Sequence, residues 1–238
     1  MSTILPREIY RDEDLIILDK PSGISVIPDR SDDELPSIRD RLIEKEGRIW
    51  IVHRLDKATS GLLVVARHAE AHRHLNRMFE EREVNKEYLA IVDGHPEEDP
   101  AEITVPLLSH PHKNMVTVDP SGKPSATLIK TERAFGRTSL LRVRLLTGRK
   151  HQIRVHLAYV GNPLLVDPVY GRRNAFFLSE VKKKYKPSGE ERPLIQRLTL
   201  HAASLSFMHP FKEVHMEWEL PLPRDMQVTL KQLDKWDN

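Results

Sequence analysis

Apolar positions along this chain gather into short β-rich runs at 15–18, 50–52, 62–66, 88–92, 115–118 and 140–146. Short runs of this kind, rich in β-forming residues, predict strands. The stretch 213–220 reads differently. There Val214, Met216, Trp218 and Leu220 alternate with Glu213, His215, Glu217 and Glu219, the period-two pattern of a strand with one packed and one wet face. Asp119-Pro120-Ser121-Gly122 has turn chemistry and predicts a hairpin between its strand-like flanks.

Three helices follow from the longer period. Ile38, Leu42 and Ile43 stand behind Ser37, an N-cap residue. Ala71, Leu75, Met78 and Phe79 form one apolar stripe. Over 150–160, Ile153, Leu157 and Val160 share a face, and Gly161 with Pro163 marks the stop. Many strands with few helices between them predict an α+β fold with a largely antiparallel mixed sheet flanked by helices and loops. A single domain over 1–238 is expected. A basic loop excursion at about 172–193 holds Lys182, Lys183, Lys184 and Lys186, and strand-like sequence resumes beyond it.

The 238 residues include no cysteine, which excludes a disulfide framework, a thiolate metal site and a cysteine nucleophile. No apolar stretch approaches the roughly 20 residues that span a bilayer, and the N-terminal residues have no signal-peptide core. A soluble, cytoplasmic protein, acting as a monomer and away from membranes, is expected. Thr117 stands where a phosphate loop ending at Gly122-Lys123 would need its first glycine, and no GxGxxG or HExxH occurs. The pairs His72/His74 and His110/His112 lack further ligands at a recognised spacing, so no metal is expected.

The net charge of +2 hides an uneven map. Nine acids face two bases over 78–102, whereas seven bases (Arg142, Arg144, Arg149, Lys150, Arg154, Arg172 and Arg173) face Asp167 alone over 141–173. A basic surface on a nearly neutral chain suits a polyanion, although a solvated charged face has the same composition.

Two segments draw chemical interest. His53-Arg54-Leu55-Asp56-Lys57-Ala58-Thr59-Ser60-Gly61 sets a carboxylate between two bases, which favours its ionised form; a lone loop Asp is also an ordinary turn former. Thr147-Gly148-Arg149-Lys150-His151-Gln152-Ile153-Arg154-Val155-His156 opens a helix at a strand end and offers bases, amides and N–H groups to an anion, or is simply a basic helix.

Together these segments resemble the RluA-type family of RNA pseudouridine synthases. Lys20-Pro21-Ser22-Gly23, Lys86-Glu87-Tyr88-Leu89-Ala90, Gly122 to Thr127, Gly161-Asn162-Pro163 and Asp167-Pro168-Val169-Tyr170-Gly171 continue the match from about residue 9 to Pro221. The resemblance implies the pseudouridine synthase fold and isomerisation of uridine to pseudouridine in rRNA or tRNA stem-loops, with no cofactor. It implies Asp56 as the catalytic carboxylate, Arg154 as its basic partner and Tyr88 against the target uracil; Ile153, next to Arg154, is either an apolar wall of the base pocket or a core packing residue. Arg54, Arg149, Lys150 and the four lysines at 182–184 and 186 are expected to meet RNA, and His53 to be structural. The early start of the match leaves recognition to the catalytic domain's own loops, without an S4-type RNA-binding domain. A catalytically inactive RNA-binding or ribosome-assembly protein on the same fold is the alternative.

Overall fold

In a computed structural model that describes residues 6–28, 36–110 and 113–237, the elements run β1 (Arg7–Arg11), β2 (Leu15–Lys20), α1 (Ile38–Glu46), β3 (Trp50–Ile51), β4 (Ser60–Ala66), α2 (Ala69–Glu80) and β5 (Asn85–Asp93). There follow β6 (Ala101–Ile103), β7 (Leu107–His110), β8 (Met115–Val118), β9 (Thr127–Ala134), β10 (Thr138–Leu145), α3 (Gln152–Tyr159), β11 (Leu200–Met208), β12 (His215–Glu219) and α4 (Arg224–Trp236). The chain divides into two units: the first runs through Lys86 and is completed by Ala202–Leu220, and the second comprises Glu87–His201 and the segment from Pro221 onward.

In the first unit the strand order is β1-β2-β4-β11-β12, with β3 also on β4. β2 and β4 pair antiparallel from Leu15 opposite Ala66 to Lys20 opposite Gly61. Apart from Asp19 both are buried throughout, so covering both faces explains their unbroken apolar runs. Ala71, Leu75 and Met78 of α2 pack on Leu15, Ile17, Leu62, Val64 and Phe207. Helix α1 starts in a reciprocal cap: Ser37 Oγ accepts from the Asp40 N–H at 3.3 Å, and the Asp40 carboxylate accepts from the Ser37 N–H at 3.1 Å. β12 keeps the expected alternation, with Met216 and Trp218 half-buried and His215, Glu217 and Glu219 exposed. Val214 departs from it and is exposed, because Glu213 takes a left-handed φ of 51° and the pleat begins only at His215.

In the second unit β5-β10-β9-β6 form an antiparallel sheet, and β7 and β8 form a separate hairpin. The turn at Asp119 forms, with the Gly122 N–H donating to the Asp119 carbonyl at 2.9 Å. It is not the apex of a hairpin, however. Beyond it Lys123 returns beside Leu107, exchanging backbone hydrogen bonds at 3.0 and 2.9 Å. A Cβ at Gly122 would lie 2.7 Å from the Leu107 carbonyl oxygen, so glycine permits this approach.

Helix α3 begins at Gln152 rather than at 150, because His151 holds a left-handed φ of 53°. It is buried from Gln152 through Leu157, and Val160 lies beyond its end, exposed, instead of sharing the packed face of Ile153 and Leu157. Helix α4 places Met226, Leu230 and Leu233 on Ile91, Leu165 and Phe176. The basic excursion is pinned at its base, where Phe176 and Ile195 bridge and are both buried.

Gly61 generates a stability prediction. It sits at φ +117°, and a Cβ there would lie 2.7 Å from the Ala202 backbone nitrogen, against main chain that cannot rotate away. Gly61→Ala should cost at least about 2 kcal/mol through steric and backbone strain. Urea denaturation of the two proteins checks this, and a change below about 0.5 kcal/mol, the scale of an ordinary surface substitution, would show that β4 and β11 have room to separate.

Candidate active site

Asp56 lies half-buried on the loop between β3 and β4, in the first unit. That loop is held by the turn following β2. The Lys20 ammonium, with no exposed surface, donates to the carbonyls of Pro21 at 2.9 Å and Lys57 at 3.0 Å. The Gly23 N–H reaches the same Lys57 carbonyl at 2.8 Å, and Ser22 Oγ donates to the Ala58 carbonyl at 2.6 Å. Gly23 has φ +90°, a conformation glycine adopts without strain. On the Asp56 side, the Thr59 N–H closes a turn onto the Asp56 carbonyl at 3.0 Å. Lys20-Pro21-Ser22-Gly23, a motif without an assigned role in the sequence, is therefore the cradle of the Asp56 loop.

The start of the loop is fixed differently. His53 Nε2 accepts the Val64 N–H at 3.1 Å, so a side chain continues the β3–β4 ladder where the backbone leaves it. The His53 ring stacks on Phe79 at 4.7 Å between centroids, and the Lys86 ammonium lies 4.7 Å from the centre of the Phe79 ring. Burial, reinforced by the Lys86 charge, pushes the His53 pKa down to about 3, and burial pushes Lys86 down to about 8. His53 is thus a neutral acceptor, consistent with a structural role.

In the second unit Tyr88 is buried in β5 opposite Val143 of β10. Ile153 and Arg154 are consecutive buried residues of α3. Arg154 is gripped by Asp167: Nε donates to Oδ2 at 2.8 Å and Nη2 to Oδ1 at 2.7 Å, with the side chains 7% and 1% exposed. The Tyr170 ring lies 4.8 Å from the guanidinium carbon. Burial alone would raise the Asp167 carboxyl, but the Arg154 hydrogen bonds and charge, with N–H groups of Val169 and Tyr170, hold it below the usual carboxylate range. Gln152 joins the helix start to the strands before it. Its carbonyl oxygen accepts from Thr147 Oγ1 at 2.8 Å and the Arg149 N–H at 2.9 Å, while its amide donates to the Ala126 carbonyl and Thr127 Oγ1, both at 2.9 Å. Asp167, Tyr170 and Gln152 all stand in the quoted motifs, but nothing in a single sequence marks them as partners of Arg154 or of the helix start.

The expected RNA contacts divide. Arg54, Arg149 and Lys150 are exposed, as are Lys183, Lys184 and Lys186. Lys182 differs, because its ammonium sits over the rings of Trp236 and Tyr185 at 4.7 and 5.3 Å. The basic stretch 141–173 is also less free than its composition suggests. Arg142 pairs with Glu132 and Glu87, Arg173 with Asp93 and Glu180, and Arg154 with Asp167.

Of the histidines considered for metal, His72 bonds the Ile51 carbonyl at 3.2 Å, His74 packs its ring on Phe211 and His110 bonds Thr117 Oγ1 at 2.9 Å. His112 lies outside the described residues. Among the described residues Asp12, Asp14 and His209 have metal-like spacing, but Lys212 already supplies a cation to Asp12 at 2.7 Å. His209 and Tyr10 each meet the same carboxylate at 2.9 Å.

His53 and Lys86 give a pH prediction. For both bases the fold favours the neutral form, so it binds fewer protons than the unfolded chain between the folded and ordinary pKa values. Stability should therefore fall as pH drops from 6.5 toward about 3 through His53, and rise between about 8 and 10.5 through Lys86. Each slope approaches about 1.4 kcal/mol per pH unit. His53→Gln keeps an acceptor for Val64 and removes the titrating ring. Urea denaturation across the pH series should show the acid slope in the wild type and a shallower one in the variant; equal slopes would refute the assignment.

A profile of the family described as RNA pseudouridylate synthase matches residues 14–159. Ribosomal large subunit pseudouridine synthase D of Escherichia coli (strain K12) is 37% identical over 231 residues, covering 92% of this chain and 67% of that protein. Ribosomal large subunit pseudouridine synthase C of Vibrio cholerae is 36% identical over 228 residues, covering 94% and 68%. Among solved structures, Human RNA Pseudouridylate Synthase Domain Containing 1 matches with a TM-score of 0.70 at 26% identity, over 94% of this chain and 86% of that one. Human RNA Pseudouridylate Synthase Domain Containing 4 gives 0.71 at 24% identity, over 95% and 92%, a likeness of fold. The profile spans Asp56, Tyr88 and Arg154, and the chain belongs to the RNA pseudouridylate synthase family.

Proposed function

We propose that this chain isomerises uridine to pseudouridine in stem-loops of ribosomal RNA, with Asp56 as the catalytic carboxylate and Tyr88 and Arg154 serving the same reaction. The observation behind this reading is the Asp56 loop itself: a half-buried carboxylate whose neighbouring backbone is clamped by Lys20, Ser22 and Gly23. The large-subunit RNA of the relatives' names favours ribosomal over transfer RNA. Residues 1–238 act on this reading as one catalytic domain, a cytoplasmic monomer. No described helix is long and apolar enough to cross a membrane.

The reaction breaks the N1–C1′ bond, turns the uracil and joins C5 to C1′; the C5 proton leaves and N1 gains one, so no electrons or groups are exchanged with another molecule. Attack of the carboxylate at C1′, removal of the C2′ proton and addition at C6 all require an ionised Asp56 beside the nucleotide. Arg154 brings positive charge to the same reaction, and positive charge favours an ionised carboxylate. Tyr88 offers a ring to the uracil, and Ile153 an apolar wall. The target base must leave its stack, at a cost of a few kcal/mol that aromatic stacking and phosphate contacts offset. Arg54 is assigned to the gap the base leaves, and Arg149, Lys150, Lys183, Lys184 and Lys186 to phosphates.

Asp56→Ala and Asp56→Asn should abolish tritium release from RNA carrying 5-tritiated uridine while the fold survives, and the wild type should release tritium equally with or without chelator. Release within about tenfold of wild type, too little for loss of a catalytic group, would sink the assignment. An inactive wild type that still binds the RNA would instead favour the binding-protein alternative.

The positive groups make a separate prediction. Replacing Lys183, Lys184 and Lys186 with Ala should weaken RNA binding and flatten its salt dependence, by roughly 0.7–0.9 in log–log slope for each phosphate no longer neutralised. Lys182→Ala should disturb the packing on Trp236 more than the slope. Arg54→Ala should slow single turnover even at saturating RNA. Salt titrations and single-turnover assays on one stem-loop check all three; an unchanged slope in the triple variant makes the excursion a solvated loop.

A further inference from the structure

We propose that Asp167 is a positioning residue for the isomerisation, fixing the plane and reach of the Arg154 guanidinium. This rests on the proposed role of Arg154 in the reaction.

The geometry is that of a mould around one side chain. Asp167 meets Nε and Nη2 of Arg154 with separate oxygens, which sets the guanidinium plane in a way a single contact would not. The carboxylate is itself immobilised. Its Oδ1 also accepts the N–H groups of Val169 at 2.9 Å and Tyr170 at 3.1 Å, and the Gly171 N–H closes onto the Asp167 carbonyl at 3.0 Å. A Cβ at Gly171 would come within 2.7 Å of that carbonyl oxygen, so the turn is as tight as glycine allows.

The second wall is Tyr170. Its ring lies under the guanidinium, and its hydroxyl accepts the Val116 N–H at 2.8 Å and shares a hydrogen bond of 2.8 Å with His151 Nδ1. The ring is therefore pinned at its far end and cannot swing off Arg154.

A purely structural role would be served as well by apolar residues, because a buried ion pair repays its desolvation only with good geometry. Here the geometry is spent on orienting one guanidinium next to Ile153, in the helix that follows Arg149 and Lys150.

The test is a double-mutant cycle read as single-turnover tritium release at saturating RNA, with RNA affinity and thermal midpoint measured beside it. Asp167→Asn keeps the shape and removes the charge. It should lower the saturated rate about a hundredfold, the scale of an ångström misplacement, with RNA affinity nearly unchanged. Arg154→Lys should be similarly slow, and the double variant no slower than Arg154→Lys alone, because Asp167 acts through Arg154. Asp167→Glu keeps the charge while shifting the oxygens by one methylene, so it guards against failure of the Asn variant to fold; it too should lose at least about tenfold in rate.

A wild-type rate in folded Asp167→Asn or Asp167→Glu overturns the proposal, as does a double variant whose loss is the product of the single losses. A wild-type rate in Arg154→Lys also overturns it, while inactivity of the Asp56 variants would leave the isomerase reading standing.

Discussion

An ammonium group stripped of all its water must find carbonyl oxygens in its place, and Lys20 finds them at the end of its own strand and on the loop that bears Asp56. The placement of the Asp56 segment follows from that requirement. The loop has no regular secondary structure of its own, so backbone hydrogen bonds from a neighbouring turn take over what a helix or ladder would supply. Because these acceptors are main-chain atoms, the charge fixes the path of the loop that carries Asp56.

Arg154 solves the same burial problem by another route. Where Lys20 donates to two backbone carbonyls, Arg154 meets a full carboxylate in fork geometry. The first arrangement holds a backbone; the second holds the direction of a side chain. Removing one partner from such a pair strands a buried charge, at a cost of about 3–5 kcal/mol. That makes Asp167 a strong determinant of local stability as well as of orientation.

Much of the fold was legible in the pattern of apolar residues. Both-face burial left β2, β4 and the middle of β5 as unbroken runs, and Ser37 marked the start of α1, whereas the part Asp40 plays in its cap shows only in the structure. The departures come from single backbone dihedrals that residue type does not announce. His151 and Glu213 adopt positive φ without being glycine, and each delays the element that follows by one or two residues. The turn at Asp119 was readable as a turn, but its partner strand depends on Lys123 meeting Leu107, a tertiary contact. The Asp56, Tyr88 and Arg154 motifs could be recognised in sequence. Their supports, Lys20 below one loop and Asp167 beside one helix, become apparent only when distant segments are brought within hydrogen-bond distance. Charge counting misled in the same way, since it gives Arg142 and Arg173 the same weight as Arg149 and Lys150 although acids elsewhere in the chain occupy the first two.

The first unit is closed by Ala202–Leu220, after all of Glu87–His201 has been made. A ribosome adding roughly 5–20 residues per second takes on the order of ten seconds over that insertion. Throughout it, β4 is finished but lacks its neighbour β11, and the Asp56 loop is carried by a half-built sheet. An apolar strand with one open edge is the kind of surface that pairs with the wrong chain. Nascent chains stalled between β5 and β11 are therefore the species most dependent on chaperones, and the hazard grows with every residue added to the intervening loops.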